Sequence, residues 1–223
     1  MTDAITHRGP DGEGHWIENN VALGHRRLAI VDLSDAGAQP MVSADHRYIL
    51  TFNGEIYNFK ELRQELRKAG YWFRSDSDSE VVLNALSEWG DDALERFNGM
   101  FALAFWDRKN QTLTLARDRY GIKPLYYVET DARISFASES KALLQDSSLD
   151  RLLDKEALLE YFTFQNIFTE KTLIKNVKML PAGHSLKIEQ RDNRAVLELT
   201  KYWDYQFQDS NVCIDPSEYV EEL

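Results

Sequence analysis

The sequence has 223 residues, of which 43% are hydrophobic and 12% aromatic, enough to bury a full domain core and to exclude a disordered chain. A formal charge of −11, from 37 acidic and 26 basic residues, argues against nucleic-acid binding, where cationic groups neutralise phosphates. No apolar run approaches the ~20 residues needed to cross a bilayer, and no secretory leader opens the chain, so a soluble cytoplasmic protein is expected.

The first 46 residues read as loop-rich, with short strands at Ile17 to Gly24 and Leu28 to Val31, and a turn punctuated by Gly37 to Pro40. Arg47 to Phe52 alternates as a strand and stops at the turn dipeptide Asn53-Gly54. Asn58 with Glu61 forms a capping pair for a helix whose apolar stripe is Phe59, Leu62, Leu66 and Ala69, closed by Gly70. Ser77 with Glu80 opens a second helix that ends at Gly90, and Asp92 with Glu95 opens a short third one. Met100 to Trp106 is an apolar run of strand length, as expected of a strand buried on both faces. A turn leads to Thr112 to Ala116, so the two form a hairpin. Strands follow at Pro124 to Val128 and Arg133 to Ala137, then a short helix near Ser138 to Leu144. Asp154 opens a further helix to about Phe162, and strands return at Ser185 to Ile188 and Ala195 to Tyr202. The single cysteine, Cys213, lies in a polar, Pro-containing stretch with no nearby His. It cannot form an internal disulfide, and no Cys/His cluster has metal-ligand spacing, so no metal site is expected. Helices grouped between runs of strands predict an α/β or α+β layered protein with largely antiparallel sheets.

Five strings carry chemical potential. His7-Arg8-Gly9-Pro10-Asp11-Gly12 reads first as a structural turn. In Arg26-Arg27-Leu28-Ala29-Ile30-Val31-Asp32, a guanidinium at a strand end can hold a carboxylate bidentately or pair with a neighbouring acid such as Asp32. Asn53-Gly54-Glu55-Ile56-Tyr57-Asn58 offers an amide and an unencumbered glycine N–H, the materials of an oxyanion hole, or simply a tight turn. Ser75-Asp76-Ser77-Asp78-Ser79-Glu80 fails as a calcium loop, because it lacks the turn glycine and the distal glutamate. It can present a carboxylate to an ammonium group, or it can serve the helix dipole alone. Arg117-Asp118-Arg119-Tyr120-Gly121-Ile122-Lys123-Pro124 reads as an ion-paired turn between strands. Together the strings supply an Arg for a carboxylate, an Asp for an ammonium and a donor pair for a developing oxyanion. That set suits a free amino acid attacked at its side-chain amide or ester.

In this order, and with Gly99-Met100-Phe101-Ala102-Leu103-Ala104, Phe136-Ala137-Ser138-Glu139-Ser140-Lys141-Ala142-Leu143 and Leu180-Pro181-Ala182-Gly183-His184, the strings resemble the class II glutamine amidotransferase domain of glutamine-hydrolysing asparagine synthetases. The resemblance runs from residue 7 to about residue 205. It implies a four-layer αββα fold of the N-terminal-nucleophile type, in which a terminal Cys thiolate attacks the glutamine amide and its own amine acts as base. Carried over, Arg27 would hold the glutamine α-carboxylate, with Ile30 and Val31 lining the site. Asn53 and Gly54 would form the oxyanion hole, and Glu55 and Asp78 would bind the α-ammonium end. Residues 1–205 would form the glutaminase domain, and residues 206–223 a linker into a synthetase domain in cis. There ATP and Mg would serve the amidation of aspartate by the released ammonia. A homodimer is possible within this class.

Two departures qualify the resemblance. The N-terminal cysteine and first strand of the family have no counterpart ahead of His7, so one sheet is expected to be incomplete, with an unpaired edge. No Ser-Gly-Gly-rich pyrophosphate loop occurs, so no cofactor is expected in this chain. The expectation is a glutaminase domain that does not turn over by itself. The alternative is a glutaminase-dead relative, similar in kind to β-lactam synthetases, that binds an amino acid or acts as a scaffold.

Overall fold

A computed structural model describes residues 1–29, 34–130, 133–191 and 194–206. After a 3-10 turn at Thr2–Arg8 come the strands β1 (Gly12–Glu18), β2 (Val21–Arg27), β3 (Met41–Val42) and β4 (Tyr48–Ile56). The helices α1 (Phe59–Lys68), α2 (Asp78–Trp89) and α3 (Ala93–Arg96) lead to β5 (Gly99–Asp107), β6 (Thr112–Arg117), β7 (Tyr126–Glu129) and β8 (Ile134–Ala137). The chain continues through α4 (Ser140–Leu143), α5 (Lys155–Phe164), β9 (Val177–Met179), β10 (His184–Arg191) and β11 (Arg194–Lys201).

One sheet of six antiparallel strands has the order β11-β10-β6-β5-β4-β3. Its centre, β5, is the apolar run of the sequence, and period-two alternation sends its side chains to two different cores. Phe101, Leu103 and Phe105 pack under Leu62 and Leu66 of α1 and Val82 and Leu86 of α2. Ala102, Ala104 and Trp106 face Leu23 of β2, Leu125, Tyr127 of β7 and Leu180. Beyond that second layer, Leu143 of α4 meets Val128 and Val177. The layers are therefore helix, sheet, sheet, helix, and the expected αββα architecture with antiparallel sheets is borne out.

The second layer is discontinuous. It consists of the β1–β2 hairpin and a separate three-stranded sheet, β8-β7-β9. Among the described residues β2 and β8 do not pair.

Several local readings need correction. The strand read at Ile17 to Gly24 straddles the β1–β2 turn, where Asn19 has φ 51°; an Asn tolerates this left-handed geometry, so Asn19-Asn20 was the overlooked signal. Leu28 and Ala29 lie outside any strand. Asn53-Gly54 is not a turn: β4 runs through it in register with Ala102 and Phe101. Gly54 is small because β5 is close. A Cβ there would lie 2.2 Å from the Met100 carbonyl oxygen, and one at Gly99 would lie 2.2 Å from that of Glu55. Asn58 does not cap α1 with its side chain; it accepts from the Asn98 N–H and donates to the Arg96 carbonyl, tying the start of α1 to the turn before β5. Ser77 does cap α2, accepting from the Glu80 N–H at 3.3 Å, and Gly90 closes that helix at φ 58°.

Candidate active site

The break in the second layer opens into a cleft of about 930 Å³, floored by β4 and β5, walled by β2 and β8, and closed at one end by the start of α2. Arg27, Asn53, Gly54 and Asp78 all line it. Residues read separately along the sequence thus converge on one space.

Both arginines of β2 line the cleft, but they are held differently. Arg26 pairs with Asp3 at 2.5 Å and Glu13 at 2.7 Å. Arg27 reaches the cleft, at the end of the strand that also carries His25. The loop string read as a turn supports this end of β2. The Asp11 N–H donates to the Arg27 carbonyl at 3.0 Å, and its carboxylate accepts from the Ala29 N–H at 2.9 Å. His7, Arg8 and Lys141 converge on Glu139, whose carboxyl ionises at about 2; burial opposes the shift, and hydrogen bonds from Lys141, Arg8 and His7 outweigh it. That cluster fastens the N-terminal turn to the wall carrying β8 and α4.

The edge of β4 is the floor's chemically open feature. In an antiparallel strand each residue's N–H and C=O point the same way, and alternate residues point oppositely. The odd residues of β4 bond to β5, a pattern that Tyr57 continues by donating to the Asn98 carbonyl at 2.7 Å. The even residues face the other edge, which β3 and the following Ser43 cover only as far as Leu50. Beyond that point side chains substitute for a strand. The Phe52 N–H donates to Gln39 Oε1 at 2.6 Å, and the Phe52 carbonyl accepts from His25 Nε2 at 3.2 Å. The Ile56 N–H donates to Asp78 Oδ2 at 3.0 Å. Between them, the Gly54 N–H points to the same edge and has no partner among the described residues.

A carbonyl can only accept, so His25 carries a proton on Nε2, and its lowered pKa leaves the ring neutral at pH 7. Burial is the main cause that pushes its ionisation down to about 4, and the nearby Arg27 charge adds to it. Nδ1 is buried without a hydrogen-bond partner among the described residues.

The acidic string before α2 resolves residue by residue. Asp76 pairs with Arg63, and Glu80 folds back to accept from the Arg74 and Ser75 N–H groups. Both serve the helix start, as the structural reading had it. Asp78 is different: it is only 5% exposed and turned to the cleft. Burial raises its pKa above the usual carboxylate value, against the Ile56 hydrogen bond, and Glu55 raises it further. Glu55 shares a face of β4 with Asn53 but lies outside the lining of the cleft. Ile30, Val31 and Cys213 lie outside the described residues. The turn at Arg117 to Lys123 is structural, but backbone hydrogen bonds rather than the expected ion pairing hold it: Arg117 donates to the carbonyls of Gly121, Lys123 and Leu180. Asp118 is fully buried and accepts from the N–H groups of Phe101, Tyr120, Ile122 and Lys123. Sequence reasoning missed His25, Gln39 and Ser79; the Asn53-Gly54 turn reading hid the strand edge that gives them a role. Among the described residues no group of three or more His, Cys, Asp or Glu could hold a metal ion, and no helix is long and apolar enough to cross a membrane.

Residues 1–203 match the family model described as a glutamine amidotransferase domain. Asparagine synthetase [glutamine-hydrolyzing] 1 of Bacillus subtilis is 42% identical over 84% of this chain and 29% of its own length. Asparagine synthetase [glutamine-hydrolyzing] 3 of the same organism is 37% identical over 92% of this chain and 33% of its own length. The chain thus spans about a third of these relatives. Among solved structures, the glutamine phosphoribosylpyrophosphate amidotransferase of B. subtilis, complexed with ADP and GMP, superposes with a TM-score of 0.56 at 20% identity. It covers 82% of this chain and 35% of that one, a likeness of fold.

Proposed function

This chain belongs to the glutamine amidotransferase domain family, and we propose that its cleft binds L-glutamine as the glutaminase part of a glutamine-hydrolysing asparagine synthetase. The observation that carries the reading is the convergence of Arg27, Asn53, Gly54 and Asp78 on one cleft, from three separate elements. Arg27 holds the α-carboxylate through its planar fork. Asp78, with Glu55 as a more distant charge, takes the α-ammonium. The Gly54 N–H and the Asn53 amide donate to the side-chain carbonyl oxygen, and those bonds strengthen as negative charge develops there. A substrate lacking the α-ammonium leaves the buried Asp78 carboxylate without a countercharge, which gives specificity for a free amino acid.

The described lining of the cleft contains no cysteine. We therefore assign binding and oxyanion stabilisation to this chain, and the thiol nucleophile to a residue outside that lining. ATP and Mg belong, in this reading, to a synthetase part of the kind that fills the other two-thirds of the relatives, where released ammonia amidates aspartate.

Titrating L-glutamine into the ¹⁵N-labelled chain tests the proposal. Saturable shifts at Gly54 are expected, and Arg27→Ala should weaken binding at least ~tenfold, the scale of a lost charge-assisted hydrogen bond. The isolated chain should release no glutamate. Binding indifferent to Arg27, or cysteine-dependent glutamate release by this chain alone, would overturn the assignment.

A further inference from the structure

We propose that His25 and Gln39 are positioning residues of this site, registering the strand that carries Arg27 and the helix that carries Asp78 against the backbone of a single residue, Phe52. The inference deepens the glutamine reading and rests on it for the roles of Arg27 and Asp78.

Phe52 immediately precedes the proposed oxyanion donors, and its own side chain is buried among the helix-side core residues. Its N–H and C=O emerge on the uncovered edge of β4, where a neighbouring strand would ordinarily receive them. Two side chains from elsewhere in the chain do so instead. His25 donates to the carbonyl, and it stands two residues from Arg27 on β2, so the imidazole fixes the reach of the guanidinium over β4. Gln39 accepts from the N–H and donates to Ser79 Oγ at 3.2 Å. Ser79 follows Asp78, whose carboxylate returns to β4 at the Ile56 N–H.

The path Phe52–Gln39–Ser79–Asp78–Ile56 is therefore closed, and it brackets Gly54 on both sides. Positions 52 and 56 of the edge are occupied, while position 54 is left to face the cleft. A carboxylate clamp, an ammonium partner and an oxyanion donor from three elements are held to one reference. This bears on reactivity, because donors contribute most when their positions require no reorganisation. The neutral state of His25 is consistent with the role, since an imidazolium would place an unpaired charge beside Arg27.

The test compares Gln39→Leu and His25→Leu with the conservative Gln39→Glu and His25→Gln in the labelled chain, by amide exchange and by L-glutamine titration. Gln39→Glu keeps an acceptor for the Phe52 N–H, and His25→Gln keeps a donor for its carbonyl. Removing either partner should accelerate Phe52 and Asn53 amide exchange by ~tenfold or more, with Leu186 of β10 unchanged. The same leucine variants should weaken glutamine by ~tenfold or more, and the conservative variants should recover most of both losses. Exchange at Phe52 and Asn53 within about twofold of the parent in both leucine variants would overturn the proposal. So would glutamine affinity that tracks global unfolding and is not rescued. If the parent chain does not bind glutamine, the substrate reading fails, and the exchange comparison alone decides whether the clasp exists.

Discussion

Asp78 shows how one side chain of the proposed glutamine site would serve binding at the expense of the fold. Burial, with Glu55 adding to it, lifts its folded-state pKa above the unfolded value, so the native state keeps its proton to higher pH than the unfolded chain does. The group's contribution to stability is therefore present at low pH and is lost as pH rises through that raised value; at neutral pH the ionised carboxylate weakens the fold. Asp78→Asn should accordingly stabilise the ligand-free chain at pH 7, the amide oxygen still accepting from Ile56. The gain should shrink towards pH ~4, the ordinary carboxylate value, and glutamine affinity should fall. Urea titrations at the two pH values measure this, and an Asn variant less stable than the parent at pH 7 would refute it. The resemblance pointed to Asp78, but the local pattern of the string could not single it out. Asp76, Asp78 and Glu80 alternate identically, and only Arg63 from α1 and the fold-back of Glu80 onto Ser75 leave Asp78 for the cleft.

At the scale of elements, capping chemistry and apolar runs located most helices and strands, because those signals are local. The short strands β3 and β9, of two and three residues, have no local signal; partner strands define them. The Asn53-Gly54 reading failed for a related reason. Asn-Gly is a strong turn former, but here the glycine answers to the β5 backbone passing within touching distance. Because the obstructing atoms at Gly54 include backbone, they cannot rotate away. Gly54→Ala should cost ~3 kcal/mol, the upper part of the range for overpacking, and Gly99→Ala across the same contact should behave alike. Chemical denaturation reads both, and a loss below ~1 kcal/mol at Gly54 would mean that β4 and β5 can part without cost.

For the whole molecule, the two-core architecture was foreseeable from β5 alone, whose unbroken apolar run demands cover on both faces. The cleft was not, because it exists only where β2 and β8 decline to pair above that strand. Its lining brings together residues 27, 53 and 78, which no periodicity connects; their association rested on the resemblance until the fold joined them. If the cleft is the glutamine site, binding must stabilise the whole domain by mass action. At one hundred times the dissociation constant measured by titration, the gain is ~2.7 kcal/mol. For a domain of this size that raises the melting midpoint by roughly 5–10 °C. Glutaramate, which has the amide and carboxylate but no α-ammonium, leaves Asp78 unpaired and should shift the midpoint far less at equal concentration. An equal shift from both ligands would show that Asp78 does not read the ammonium. It would leave Arg27 and the β4 edge as the whole of the recognition, a site for any carboxylate bearing an amide at the right distance.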